Sequence, residues 1–190
     1  MILLTTILMA CQEDTGEQFY KFKTGTLWVY ERTEGPRKGK TTFTVTKEEK
    51  GKVYVDSVEE WEGTDEATKD QMVWSIEDGC LVWNQLKDDK TALLFSPYKT
   101  GSKKGDTWRF SSQVLSGWWD MTHQGSGEVD VPAGKYKDVV HLQGKPRIVD
   151  DVSLKQVDFH FAAGVGLLKL EVVTPEGKSS TVLKQFKPAD

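Results

Sequence analysis

The sequence is short of most features that announce a function. Its 190 residues include only two cysteines, Cys11 and Cys80, whereas small secreted folds that rely on disulfides carry larger, even sets. A hydrophobic core must therefore hold this chain together, with Cys80 read as a lone, small, buried apolar residue. Long apolar runs are missing: the N-terminal "MILLTTILMA" is half of the roughly 20 residues a membrane-crossing helix needs. Positive charge is not in excess, since 25 Lys and Arg stand against 29 Asp and Glu for a net charge of −4. The charges are scattered, which argues against nucleic acid as a partner. Sustained 3.6-residue periodicity is absent, which argues against a helical architecture. There is no Gly-x-Ser-x-Gly elbow, His-Glu-x-x-His, paired-cysteine zinc spacing, phosphate loop or calcium loop. The expectation is a non-catalytic chain with no cofactor and no metal site.

What the sequence does contain is alternation. "TTFTVT" puts Phe43 and Val45 on one face, "MVWSI" does so for Met72, Trp74 and Ile76, and "VDFHF" for Val157, Phe159 and Phe161. Such period-2 patterning marks half-buried strands. Turn signals separate them: Gly35-Pro36, Lys50-Gly51, Asp78-Gly79, Pro132-Ala133-Gly134 and Pro175-Glu176-Gly177. Asp78-Gly79, between "MVWSI" and "CLVWN", predicts a two-residue hairpin.

The pattern is also written twice. "GTLWVY" (25–30) matches "GDTWRF" (105–110), "VWSIEDGCLVW" matches "DFHFAAGVGLL", and Phe95-Ser96-Pro97 matches Phe186-Lys187-Pro188. The matches are in order across two halves, as a duplication with loop insertions requires. They predict an all-β, antiparallel fold: two pseudo-repeated meander modules, about 20–99 and 100–190, of roughly six strands each. The modules form one curved sheet system, an open barrel or a sandwich, within a single domain spanning 20–190. Trp28, Tyr30, Trp74, Trp108, Phe110, Phe159, Phe161, Leu168, Leu170 and Val182 are assigned to its interior. Side chains that bulky would fill a sandwich, whereas a barrel of a dozen strands would need a ligand or loop to occupy it.

The N-terminal "LMAC" resembles the bacterial lipoprotein signal, with Leu8, Ala10 and Cys11 in place, Met9 departing from it, and no positive residues before it. The resemblance implies a signal peptide over 1–10, lipidation of Cys11 and a tether over 11–19, whose "QEDTGEQ" is polar. More than one acyl chain would hold the protein stably at a membrane. Gln12 after Cys11, instead of Asp, implies the outer membrane in a Gram-negative cell. The other reading of 1–11 is an apolar strand that happens to end in Cys. Further on, "GDTWRF", "EVDVPAGKYKDVVHL" and "GVGLLKLE" together resemble a group of uncharacterised bacterial secreted or lipid-anchored envelope proteins, most strongly over 94–172. That resemblance implies an envelope location and an all-β fold, and supplies no activity. A looser likeness, of architecture alone, is to periplasmic half-barrels that carry lipid or lipoprotein.

Residues for binding chemistry are few. In "GWWD", consecutive residues of a strand face opposite ways. Trp118, Asp120 and Thr122 form the more polar face and Trp119, Met121 and His123 the other, so Trp118 is the ring expected outside. An exposed Trp beside Asp120 suits sugar stacking, and also suits covering by a loop. Trp61, between Glu60 and Glu62, has the same two readings. Asp158 and His160 share the outward face of "VDFHF", where solvated polar residues are expected, and two ligands do not make a metal site. The neighbours Glu59-Glu60 and Asp150-Asp151 point oppositely on a strand and make no acid–base pair. The expected role is a lipid-anchored envelope module meeting a glycan, a lipid or an envelope protein. The alternative is a carrier holding an apolar ligand between the two modules.

Overall fold

A computed structural model describes residues 16–87, 90–112, 117–149, 154–175 and 177–190. The 1–10 segment, Cys11 and the Asp150-Asp151 pair lie outside the described residues. Twelve strands follow in order: β1 (Leu27–Glu34), β2 (Arg37–Glu49), β3 (Lys52–Trp61), β4 (Thr68–Glu77), β5 (Cys80–Lys87) and β6 (Lys90–Lys99), then β7 (Thr107–Ser112), β8 (Gly117–Val131), β9 (Gly134–Val149), β10 (Gln156–Ala162), β11 (Gly166–Thr174) and β12 (Gly177–Lys187). Local chemistry explains the turns. Asp78 and Gly79 both take positive φ, 49° and 72°, as a two-residue turn matching strand twist requires. At the β8–β9 turn Pro132 sits second after Val131, which faces Gly134 across the ladder, a place where its fixed φ is an advantage.

All twelve strands belong to one antiparallel sheet in the order β6-β5-β4-β3-β2-β1-β12-β11-β10-β9-β8-β7. Each half of the chain lays down six strands as a meander, and the pairing of β1 with β12, Leu27 opposite Lys187 to Glu34 opposite Ser179, joins the halves. The sheet curls until its edges β6 and β7 approach. Among the described residues no ladder forms there; a long hydrogen bond from Trp108 Nε1 to the Ser96 carbonyl, 3.5 Å, crosses the seam. The architecture is a nearly closed all-β barrel, the open-barrel form of the expected fold.

The alternation places the aromatics inside. Trp28 and Tyr30 are each 1% exposed and Phe159 and Phe161 not at all, while Thr107 and Arg109, on the opposite face of β7, are exposed. The barrel is flattened enough for its walls to touch. Trp83 of β5 meets Phe159 and Phe161 of β10 at ring-centroid distances of 6.1 and 5.9 Å, and Phe95 of β6 meets Phe159 at 5.4 Å. Edge-to-face pairs of this kind add about 0.5–1.5 kcal/mol each beyond the area they bury. Two interior side chains replace missing ladder bonds: Trp28 Nε1 donates to the Val165 carbonyl (2.7 Å) and Tyr30 Oη to that of Leu167 (2.8 Å). Ladder pairing between β11 and β12 runs only from Lys169 onward, so these carbonyls have no strand partner on that side.

Two segments close the interior. Residues 16–19, read from the sequence as the end of the tether, fold onto the barrel through a single 3₁₀ turn, Glu17–Phe19. Phe19 packs on Tyr98 (4.8 Å) and Phe161 (5.8 Å), and Phe22 on Trp28 (4.8 Å); the Gly164 N–H donates to the Gln18 carbonyl. The second segment is the outer part of the β8–β9 hairpin. β10 pairs with β9 only between Val140 and Gly144, whereas β8 and β9 stay paired out to Val131 and Gly134. The resulting arm folds back, burying Val131 and Val139, and the Ala133 N–H donates to the Leu183 carbonyl of β12.

Candidate functional site

The dipeptide at the start of β8 divides as the alternation requires. Trp119 is 1% exposed inside and Trp118 is 47% exposed outside. Among the described residues Trp118 is the exposed large hydrophobic side chain. Asp120, two positions on, shares its face. Register decides what surrounds them: Arg109 of β7 and Lys145 of β9 stand directly opposite Asp120. Between Trp118 and Trp119 the β8–β9 register slips, with Ile148 opposite Trp118 and Pro146 opposite Trp119. Arg147 is thus an extra residue and reaches across to the carboxylate. Pro146 is tolerated beside the bulge, because β9 has no β10 partner past Gly144. Asp120 holds two guanidinium groups, Arg109 Nε at 3.1 Å on Oδ1 and Arg147 Nη1 at 3.3 Å on Oδ2. Around Trp118 the outer face therefore combines one indole with three cations and one carboxylate.

Trp61 sits elsewhere, on β3, seven strands from β8 along the sheet. Its surface is already occupied. The guanidinium carbons of Arg32 and Arg37 lie 4.8 and 4.5 Å from the ring centre, and Nε1 donates to Glu59 Oε1 at 2.5 Å. Glu59 also pairs with Arg32, while Glu60 pairs with Lys40 at 2.6 Å. The ring rests on Gly39, where an added Cβ would approach it to 2.8 Å. Cation–π contact, hydrogen bond and glycine seat all serve the β1–β3 corner. The structure does not bring Trp61 together with Trp118 and Asp120.

The outward face of "VDFHF" departs from expectation. Asp158 is not solvated; it is 8% exposed and accepts hydrogen bonds from His141 Nε2 (2.8 Å), Gln143 Nε2 (3.2 Å) and Gln156 Nε2 (2.6 Å). Although burial opposes ionisation, these donors outweigh it and hold the carboxyl down at about 2. His160 stacks on His141, its cross-strand partner, with centroids 4.5 Å apart. Burial, then the neighbouring His141 and Lys169, push its pKa down to about 4, and its Nδ1 is buried without a partner. The sequence pointed to two of these residues and missed His141 and Gln143, which only the β9–β10 register brings in, and Gln156, which shares the face of Asp158 two positions earlier on β10. Among the described residues no three His, Cys, Asp or Glu side chains converge as metal ligands. Cys80 is a free thiol, half-buried where full burial was expected; burial raises its pKa.

Inside the barrel, Trp74, Trp83 and Trp119 each bury an indole N–H that has no hydrogen-bond partner. Trp74 and Trp83 face each other across β4–β5 and stack at 5.5 Å. An unpaired buried donor costs roughly 1–3 kcal/mol, so three in one interior stand out.

Neither a family model nor a curated protein matches the chain. Among solved structures it is similar to a candidate exported protein with a YmcC-like fold from Bacteroides fragilis, at 13% identity and a TM-score of 0.58, covering 87% of this chain and 97% of that one. It is also similar to a candidate lipoprotein from Parabacteroides distasonis, at 13% identity and a TM-score of 0.52, covering 87% and 96%. At such identities the likeness is one of fold, and it extends over nearly the whole described barrel.

The polar cluster on β9–β10 makes stability depend on acid. The folded-state pKa of His160 lies below the ordinary 6.5, so between pH 6.5 and about 4 the unfolded chain binds a proton that the folded chain refuses. Stability falls as pH falls through that window, by on the order of 2 kcal/mol after allowance for partial exposure. Asp158 adds a further loss as pH drops from about 4 toward 2. Urea unfolding at pH 7 and pH 4.5 should show the first loss in the native chain and a much flatter profile in His160→Gln. An equal slope in both would refute the assignment.

Proposed function

We propose that this protein is a non-catalytic binding module of the bacterial cell envelope, lipid-anchored through Cys11, which meets its partner on the outer face of β7–β9 around Trp118. The single observation behind the binding face is the half-exposed Trp118, an indole standing on the body of a strand whose neighbour Trp119 is fully enclosed. A strand presents such a ring rigidly, at little entropic cost. The anchor rests on the "LMAC" match, and two proteins of similar fold, one described as exported and one as a lipoprotein, support it. The sequence repeats are read as a duplication that produced two meanders sharing one interior.

A second reading is favoured by one observation, the three unpartnered indole N–H groups of Trp74, Trp83 and Trp119. An apolar ligand carrying carbonyl or hydroxyl acceptors, such as an acyl ester, would satisfy them once the walls of the barrel part at the β6–β7 seam.

Metabolic labelling with a clickable fatty acid should mark the native chain and leave Cys11→Ser dark; labelling that survives the substitution would remove the anchor. In pull-downs with isolated envelope fractions, Trp118→Ala should reduce retention at least five-fold, and unchanged retention would eliminate the outer face. Native mass spectrometry reports on the interior: co-purifying lipid mass supports the carrier, and a clean apo mass argues against it.

A further inference from the structure

Taking the Trp118 face as the binding surface, we propose that its ligand is an acidic saccharide, a pyranose bearing a carboxylate or phosphate, with the sugar face on Trp118 and the anion on Arg109 and Arg147. The inference rests on the reading that this face binds at all, and goes further by assigning the chemical class.

Size comes first. Trp118 is the exposed large hydrophobic side chain among the described residues. A specific protein interface buries about 800 Å² on each partner around an apolar core, and a membrane-binding surface needs a broad apolar face. One indole rimmed by charge meets neither requirement. It does match the apolar face of a single pyranose ring, whose C–H bonds can lie against the negative face of the aromatic system.

Charge comes second. The chain as a whole carries −4, yet the patch around Trp118 reverses the sign: Arg109, Lys145 and Arg147 against Asp120 leave two positive charges in excess. Asp120 acts as an internal spacer, taking one N–H from each guanidinium, Nε of Arg109 and Nη1 of Arg147. Both arginine side chains remain half exposed, 50% each, so each planar fork keeps donors facing solvent. Two guanidinium groups fixed by one carboxylate are preorganised for a second anion, with the bidentate geometry that carboxylate and phosphate prefer. Lys145, opposite Asp120 on the other flank, adds a further cation. Trp118 and Asp120 are two positions apart on one face of β8, so the guanidinium pair that Asp120 holds stands beside the indole on the same outer face.

The test uses the purified full chain in detergent and four probes: trigalacturonic acid, its methyl ester, a phosphorylated mannose oligosaccharide, and vesicles containing phosphatidylglycerol. The acid should bind and the ester at least ten-fold more weakly, with affinity falling as salt is raised. Trp118→Ala and the double variant Arg109→Gln/Arg147→Gln should each weaken binding at least ten-fold, and Trp118→Tyr should restore most of what alanine loses. Binding of the phosphorylated oligosaccharide in place of the uronate, with the same arginine dependence, supports the anionic class and fixes phosphate as the source. Equal binding of acid and ester, still dependent on Trp118, overturns the acidic class while leaving the face as a binding surface. Vesicle binding without oligosaccharide binding overturns the saccharide in favour of a lipid headgroup. Binding of no probe, or loss of none in Trp118→Ala, overturns the proposal.

Discussion

The pairing of β1 with β12 is the contact on which the rest of the structure depends. The other ladders connect strands adjacent in sequence and can form locally; this one closes a loop of some 150 residues. Without it there are two six-stranded meanders, each with an apolar face and nothing to cover it. With it, the sheet is continuous, and its twist brings the two inner faces together. The cost of closing so long a loop grows only logarithmically with its length, but it must be met before the interior contacts form. Trp28 and Tyr30 stand on β1 itself, and their bonds to the Val165 and Leu167 carbonyls reach across to the β10–β11 turn and the start of β11. The strand that makes the closure also carries the side chains that secure it.

Closure then sets the volume problem. A round barrel of twelve strands would leave a wide lumen, and small aliphatic side chains could not fill it. This chain flattens the barrel and fills it with rings, Trp83 on Phe159 and Phe161, Phe95 on Phe159, and adds Phe19 and Phe22 from the N-terminal turn. The solution has a defect in the form of the three indole donors without acceptors. Tryptophan supplies the bulk that the interior needs, yet its N–H requires a partner that the opposite wall, built of Phe and Leu, does not offer. The same residues that fill the barrel thereby leave it incompletely satisfied.

Alternation made the strands, the turns and most of the inward set legible from sequence, since period and turn chemistry are local properties; on β12 it is Leu183, opposite Tyr30, that is buried, and not Val182, which stands opposite Glu31. Trp118 outside and Trp119 inside followed from the same rule. Register is not local, and whatever depended on it was missed. Asp158 was expected in solvent because nothing on β10 gave a hint that His141 and Gln143 of β9 would join Gln156 around it. Arg147 could not be assigned to Asp120 without the bulge between Trp118 and Trp119. Trp61 had two readings, open or covered, until the β1–β2–β3 ladders placed Gly39, Arg32 and Arg37 around it. The burial of Phe19 was hidden for another reason: a polar run such as "QEDTGEQ" signals exposure on average, and one aromatic after it carries no period.

The adjacency of Trp118 and Trp119 also bears on whether the two surfaces of the barrel act independently. They are consecutive residues with opposite environments, one half exposed and one enclosed with an unpaired donor. The β8 backbone between them is not in regular register with β9, because the bulge at Arg147 interrupts it. A ligand that stacks on Trp118 and draws on Arg147 pulls on both sides of that bulge. A ligand inside, accepting from Trp119 Nε1, pulls on the same peptide from the other face. Bulges concentrate twist and yield more readily than regular ladder, so coupling between outside and inside has a short physical route. That route runs through β8, the neighbour of edge strand β7, where a long hydrogen bond from Trp108 to the Ser96 carbonyl crosses to β6 in place of a ladder among the described residues.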